Sequence, residues 1–344
     1  MKLVIKKFLA TIAICVLAVV AYAMWSSVYF KQVTTYGRVG LQSPKMPAVN
    51  CWGDSLTAGV MGDGVTYPKT LQQIFSAQLI ANGNRTSTPM VRNLGISGET
   101  SLEIACRGGL KMHLRSAVLM NRPGHPETFE IATKDGRAVS ILRLGDVGVN
   151  PVRINGITGR LNRVNNNNLY TFTPTYIKHQ DTLAPGSSVT TYAAAHYRSA
   201  IPIIFIGQNG GYESDADLIR QQKAIIKNQI GGRHQYLIIG LHTGTAEQRA
   251  ALEKQMQKTY GKHYINLRAI LSKNGLKIAK IKATAQDKQM MEKGMTPASL
   301  LAADGLHFNP KGYRTVAKIV YARMDALGMI HYPVGAQSML KNYY

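Results

Sequence analysis

The sequence comprises 344 residues, 45% of them hydrophobic and 17% charged. That excludes a chain too polar to bury a core and leaves room for one large domain or two ordinary ones. Forty-one Lys and Arg against 18 Asp and Glu give a formal net charge of +23, an excess that draws a protein to anionic polymers and surfaces such as acidic glycan, lipid headgroups or nucleic acid.

The first 25 residues stand apart. Lys2, Lys6 and Lys7 precede an uncharged apolar run from Phe8 to Trp25, and Ala21-Tyr22-Ala23 fits a small-x-small cleavage site. The run spans 18 residues, also just long enough to cross a bilayer. Residues 1–25 therefore read as a signal peptide or an uncleaved N-terminal membrane anchor. Either reading keeps the lysines inside and carries the rest of the chain across the membrane. The protein is expected to be exported, periplasmic or extracellular, or held at the inner membrane by residues 8–25. Export sets nucleic acid aside as a partner and leaves an anionic glycan or a membrane surface. Cys15 has no small residue before it, as a lipoprotein cleavage site requires. Removing residues 1–23 takes away three lysines and no acid, leaving +20. Two cysteines then remain, Cys51 and Cys106, read as separate buried thiols.

Residues 26–45 form a polar connector holding Gly37, Gly40 and Pro44. The apolar run Met46–Trp52 predicts a short buried strand that stops at Gly53, with Asp54-Ser55-Leu56 at the turn. Leu71, Ile74 and Phe75 have helical spacing and predict a helix over 67–78. A second strand, Met90–Gly95, leads to a helix from Thr100 to about Arg107, extendable to Leu114 across Gly108-Gly109. Strand, helix, strand, helix implies a parallel sheet, with residues 46–115 as its first part.

Between residues 116 and 200 the helical period disappears. Phe129–Ile131, Val139–Leu144, Val152–Ile157, Tyr170–Thr173 and Ser188–Tyr192 alternate, and Lys134-Asp135-Gly136, Leu144-Gly145-Asp146 and Asn165–Asn168 supply turns. This predicts an all-β insertion of roughly 80 residues, enough for a compact sandwich. The α/β rhythm resumes over 201–330. Strands are expected at 201–207, 236–240 and 263–267, helices at 215–230, 246–260 and 310–327, and a basic, weakly helical stretch at 273–293. Pro310 opens the last helix where a proline is tolerated. The expectation is about five parallel strands with helices on both faces, and a tail over 331–344. Basic charge is densest in Glu253–Lys293, with ten Lys and Arg against three Asp and Glu.

Four short blocks carry candidate chemistry. Ser55 lies at the carboxyl end of a strand, where ligands of α/β sheets bind. Asp304-Gly305-Leu306-His307 precedes the last helix. A histidine takes and returns a proton near neutrality, and a carboxylate three residues earlier can orient its ring from the same loop. His113, His125, His179, His196, His234, His263 and His331 have no carboxylate in such a setting. His242, after the strand at 236–240, is the best competitor and an alternative substrate contact. Acyl transfer also needs hydrogen-bond donors for a tetrahedral oxyanion. The candidates are the Ser55 N–H, Gly95 after the second strand, and Asn209 in Gly207-Gln208-Asn209-Gly210 after the third. Either of the last two alone is ordinary turn chemistry.

Taken in order, Gly53-Asp54-Ser55-Leu56, Gly95, Gly207-Gln208-Asn209 and Asp304-Gly305-Leu306-His307 resemble the blocks of the SGNH (GDSL) hydrolase superfamily. The resemblance spans about residues 48–327 apart from the β insertion. It implies a flavodoxin-like three-layer α/β/α fold, no metal or organic cofactor, and a serine esterase. Ser55 would be the nucleophile, His307 the base and acid, Asp304 its orienting partner, and Ser55, Gly95 and Asn209 the oxyanion hole. The third block usually carries Asp after its Asn; Gly210 stands there, which bears on loop structure more than on activity. An exported enzyme with a β insertion between its second and third blocks is similar to certain bacterial peptidoglycan O-acetylesterases. The substrate expected on that basis is a short acyl ester of an anionic carbohydrate. A lipase, lysophospholipase or acyltransferase would use the same triad, and an idle fold would leave a binding module for anionic glycan.

Overall fold

The structure, a computed structural model, describes residues 46–81, 89–120, 127–165, 168–176, 182–230 and 235–330. The expected leader, connector and C-terminal tail lie outside the described residues, as do His125, His179, His234 and His331. Among the described residues no helix is long and apolar enough to cross a membrane.

The chain begins with β1 (Val49–Gly53), the single turn α1 (Ser55–Ala58), α2 (Tyr67–Ala81), β2 (Val91–Gly95) and α3 (Ser101–Gly108). Eight strands follow: β3 (Met112–Leu114), β4 (Val118–Leu119), β5 (Phe129–Thr133), β6 (Val152–Ile154), β7 (Ile157–Val164), β8 (Leu169–Pro174), β9 (Thr182–Leu183) and β10 (Ser188–Thr190). The path continues through α4 (Tyr192–His196), β11 (Ile201–Phe205), α5 (Asp215–Ile230), β12 (Leu237–Ile239), α6 (Ala246–Tyr260) and β13 (Tyr264–Ile265). Short helices α7 (Leu267–Ile270), α8 (Leu276–Ala279) and α9 (Ala285–Glu292) precede the long α10 (Pro310–Ala326).

The parallel sheet has the order β13-β12-β11-β1-β2. Counting only its own strands along the chain, this is 2-1-3-4-5, a doubly wound, flavodoxin-like order whose ligand crevice opens at the carboxyl ends where the order reverses. The reversal falls between β1 and β11. Every residue of both strands is buried, as expected of central parallel strands covered on two faces. On one face Val49, Cys51, Ile203 and Phe205 pack with Leu71 and Phe75 of α2 and Val316 and Val320 of α10. On the other, Trp52, Ile204 and Ile238 meet Ile104 of α3, Leu218 and Ile225 of α5, and Met256 of α6.

Helix starts follow local side-chain chemistry. Thr100, Thr245 and Thr284 each accept the N–H three residues on, while Glu103, Gln248 and Asp287 return a bond to the cap's own N–H. Asn309 caps α10 ahead of Pro310. Gly109 (φ 123) ends α3, so the predicted extension to Leu114 does not form and Met112–Leu114 is a strand instead.

The insertion closes on itself. Strands β10-β3-β5-β8-β7-β6 form a six-stranded barrel, with β4 and β9 paired outside it, rather than the compact sandwich expected. It also starts earlier than residue 116. Alternation explains its interior: Gly159 and Leu161 of β7 and Tyr170 and Phe172 of β8 are buried while their neighbours are not. Met112, Leu114, Phe129, Ile131, Val152 and Ile154 fill the remainder, so a barrel this narrow is a packed core and not a channel. Asn155-Gly156, with φ 46 and 89, turns β6 into β7 as a two-residue hairpin with both residues left-handed, splitting the single strand predicted over 152–157. Val139–Leu144 is no strand either. Val139 and Ile141 are buried as their alternation predicts, but their carbonyls accept from the Tyr170 hydroxyl at 2.8 and 3.0 Å instead of from a neighbouring strand. Ser188–Tyr192 stops pairing at Thr190 because Thr191 caps α4.

Candidate active site

At the end of β1, Asp54 caps α1: its Oδ1 accepts the Leu56 N–H at 2.9 Å and its carbonyl accepts from Thr57 and Ala58. This places Ser55 at the first helical position, where its N–H has no partner within the helix. Gly53 and Gly95 are required by the seating of α1. A Cβ on Gly53 would lie 2.7 Å from the Phe205 carbonyl oxygen, and one on Gly95 would lie 2.2 Å from the Ala58 nitrogen.

The last block folds as a tight loop. Asp304 Oδ1 accepts the N–H groups of Leu306 and His307 at 3.0 and 2.9 Å, and Gly305 (φ 67) allows the turn. The backbone of His307 is tied back by Ala302, whose N–H donates to its carbonyl at 2.8 Å. Oδ2 of Asp304 is then 2.5 Å from His307 Nδ1, and His307 Nε2 is 2.8 Å from Ser55 Oγ. Three side chains separated by up to 252 residues form one hydrogen-bonded chain. With the ring proton on Nδ1, His307 donates to the carboxylate and accepts the serine hydroxyl proton. The hydrogen bond from His307 is the largest cause holding the Asp304 carboxyl down at about 2, so it is ionised wherever a neutral histidine could serve as base. Ser55 itself is only 6% exposed.

The remaining histidine near this loop has another setting. His242 is buried, packs against Phe308 with centroids 4.3 Å apart and the rings tilted by 38°, and faces Thr296. Burial pushes it down to about 3, so it stays neutral near pH 7, and at 1% exposure it presents no surface to a ligand. His113 and His196 make no ion pair with a carboxylate among the described residues, and His263 is engaged by Tyr236, stacking on its ring at 4.4 Å with Nδ1 3.0 Å from its carbonyl. Cys51 and Cys106 are free and buried. Burial pushes the Cys51 thiol up to about 12 and raises Cys106 as well, so neither competes with Ser55 as a nucleophile.

The oxyanion donors expected from sequence fare differently. Ile96 N–H donates to the Gly53 carbonyl at 3.1 Å, which places the β2–α3 turn beside the Ser55 loop. The Gly95 N–H, however, donates to Asn93 Oδ1 at 3.0 Å, so Gly95 serves as the spacer under α1 rather than as an open donor. Gly98, exposed at φ 78 in the Ile96–Glu99 turn, keeps an N–H with no acceptor among the described residues. Asn209 is exposed and uses one amide hydrogen on the Glu99 carbonyl at 3.0 Å, and the other has no acceptor among the described residues. Gly210, standing where the resembling family has Asp, offers its carbonyl to both the N–H and the hydroxyl of Ser101 at 2.9 Å, joining the β11 loop to α3.

Two further contacts escaped sequence reasoning. Arg107, fully buried, clamps Glu99 and also donates to the Leu94 and Val147 carbonyls at 2.8 and 3.0 Å. Arg143, from the insertion, reaches the Gly98 carbonyl at 3.2 Å and pairs with Glu103. The barrel therefore braces the turn beside the serine. No spacing rule announces either partnership, because each joins segments brought together only by the fold. Among the described residues no group of three or more His, Cys, Asp or Glu side chains could hold a metal ion. No family model matches the chain, and no curated protein or solved structure matches it.

Two substitutions test this geometry. Gly95→Ala should lower stability by about 3 kcal/mol, since its methyl meets backbone rather than a movable side chain. Urea unfolding measures the loss. Asp54→Asn addresses charge. Burial pushes the Asp54 carboxyl from 3.8 up to about 6. A carboxyl raised on folding contributes stability that is present below pH 3.8 and lost as pH rises through about 6. The ionised form then costs roughly 3 kcal/mol near neutrality. Asparagine keeps the capping oxygen without the charge. The variant should unfold in urea with a flatter stability profile between pH 4 and 6 and no loss at pH 7.

Proposed function

We propose that this chain is an exported serine hydrolase of the SGNH (GDSL) type that removes acetyl or other short acyl groups from an anionic carbohydrate of the cell envelope. The observation that carries the reading is the hydrogen-bonded run Ser55–His307–Asp304 at the carboxyl end of β1. Ser55 Oγ attacks the ester carbonyl while its proton passes to His307 Nε2. Asp304 stabilises the imidazolium. The oxyanion is met by the Ser55 N–H, the other amide hydrogen of Asn209 and the Gly98 N–H. Collapse expels the alcohol, which takes the His307 proton, and water activated by the same ring releases the acid. The net charge of +23 supports an anionic glycan as the alcohol side of the ester.

Hydrolysis of p-nitrophenyl acetate and labelling by a fluorophosphonate test the mechanism, with Ser55→Ala as the control that should lose both. Full activity in that variant refutes it. Release of acetate from O-acetylated glycan, with little turnover of long-chain esters, tests the substrate class; the reverse preference refutes it and points to a lipase.

A further inference from the structure

At the opposite end of the sheet from Ser55 lies a concave basic seam between the barrel and the α/β body. Two adjoining cavities, of about 700 and 680 Å³, share Gly109, Leu110, Lys111, Lys134, Arg198 and Asn228. The seam is bounded by the residues that follow α3, by Arg198 and Ser199 ahead of β11, and by the C-terminal half of α5. β11 runs from this seam toward the candidate active site, and five extended residues separate the two by about 16 Å.

Charge and shape coincide here. Lys111, Lys134, Arg198 and Lys227 line the cavities, are exposed, and make no ion pair among the described residues. Arg220 also lines the wall, but Asp217 and Asp135 neutralise it at 2.7 and 2.8 Å. No Asp or Glu lines either cavity among the described residues. Lysines scattered on a convex surface are well solvated. Four unpaired cations around a concavity with protein walls focus their field into it. The floor is fixed in advance: Asn228 donates both amide hydrogens, to the Gly108 and Ala194 carbonyls at 3.1 and 3.0 Å. Gly109 (φ 123) makes room for that side chain, since a Cβ there would lie 2.3 Å from Asn228 Cβ. The same bonds satisfy the carbonyls ending α3 and α4, whose partial negative charge would otherwise oppose an anion. Hydroxyls of Ser188, Thr190 and Ser199 line the walls.

We propose that this seam is a binding site for a segment of anionic glycan, distinct from the ester-cleaving site and independent of its chemistry. The lysine and arginine heads hold the carboxylate or phosphate groups, and the hydroxyls hydrogen-bond the sugar ring. A built, rigid groove lined by hydroxyls suits a polymer strand better than a lipid surface, which needs an exposed apolar or flat basic face.

The test uses the full chain and its Ser55→Ala variant. Binding of an oligogalacturonate, a phosphate-linked glycan and a neutral dextran oligomer is measured by calorimetry at two salt concentrations. One triple variant carries Lys111→Gln, Lys134→Gln and Lys227→Gln. A control triple carries Lys273→Gln, Lys277→Gln and Lys282→Gln, which removes the same charge from exposed positions outside the seam. The proposal expects an anionic glycan to bind the parent and the Ser55→Ala protein equally, and the affinity to fall with salt. The seam triple should lose about tenfold or more in affinity and the control triple little. Preference between the carboxylate and phosphate polymers identifies the source of the anion. Equal losses in the two triples, equal binding of dextran, or tighter capture by phosphatidylglycerol vesicles than by either anionic glycan would overturn it. Because Ser55→Ala is inactive by design, a failure here is separate from a failure of the hydrolase reading.

Discussion

His307→Ala protein should hydrolyse a short-chain ester at least about 10⁴-fold more slowly than the parent, because the serine proton then has no acceptor. Asp304→Asn separates base from orienter and should lose about 10⁴-fold in kcat while remaining folded. The two oxygens of Asp304 have separate roles. Oδ1 holds the loop by accepting from Leu306 and His307, and Oδ2 faces His307 Nδ1. Asparagine can retain the first role through its carbonyl. Its NH₂ then points at Nδ1 and moves the ring proton to Nε2, the atom that must accept from Ser55. Circular dichroism and urea unfolding would verify the fold, and single-turnover kinetics would isolate the acylation step. Turnover within tenfold of the parent in His307→Ala would remove His307 from the chemistry.

The second large effect is on stability. Arg107→Met should cost about 3–5 kcal/mol, because it strands the Glu99 carboxylate in a buried site. Arg107 is 0% exposed and Glu99 is 3% exposed, with 2.6 Å between Nη2 of the guanidinium and Oε2. Burial already raises the Glu99 carboxyl despite the opposing pull of Arg107. Without the guanidinium that carboxyl would take up a proton, and the Leu94 and Val147 carbonyls would lose their donors. A loss of this size is a large fraction of the stability of an ordinary domain. Arg107→Lys should fall short as well, since an ammonium cannot span Glu99, Leu94 and Val147 at once. Urea unfolding of both variants decides the matter, and a lysine variant as stable as the parent would show that the clamp is dispensable. The backbone of Glu99 also anchors Asn209, so surviving Arg107→Lys protein should turn over ester more slowly at unchanged pH.

The legible elements are those whose cause is local. Thr245 with Gln248 and Asn309 with Pro310 mark helix starts whatever surrounds them, and the helices at 215–230 and 246–260 form with the expected bounds. Ile201–Phe205 reads as a central strand because both of its faces are apolar. Gly95 masks Gly98 in the sequence: Gly95 ends β2, Gly98 lies in the turn three residues on, and the Asn93 side chain takes up the Gly95 N–H. Val139–Leu144 misleads for a related reason. Burial alternates along it, but Tyr170 and Arg163 take its carbonyls and no strand is needed there. The basic seam was invisible along the chain, where Lys111, Lys134, Arg198 and Lys227 stand far apart and the density of charge lies elsewhere.

By itself the sequence determined the alternation of strands and helices around a parallel sheet, the β character of the insertion, and the serine, histidine and aspartate that the fold joins. The first two depend on the period of apolar residues along the chain, and the three side chains are picked out by the resemblance of their short blocks, within which Asp304 and His307 share one loop. Only the tertiary structure decided that the insertion closes as a barrel, that Gly95 is a spacer while Gly98 keeps its N–H, and that Arg107 and Arg143 brace the turn beside Ser55. Those outcomes rest on which distant segments meet, and hydrogen bonds between distant segments leave no periodic trace along the chain. Ser55 lies 252 residues from His307 in sequence and 2.8 Å from it in space, because the doubly wound sheet brings the carboxyl ends of its strands to one edge.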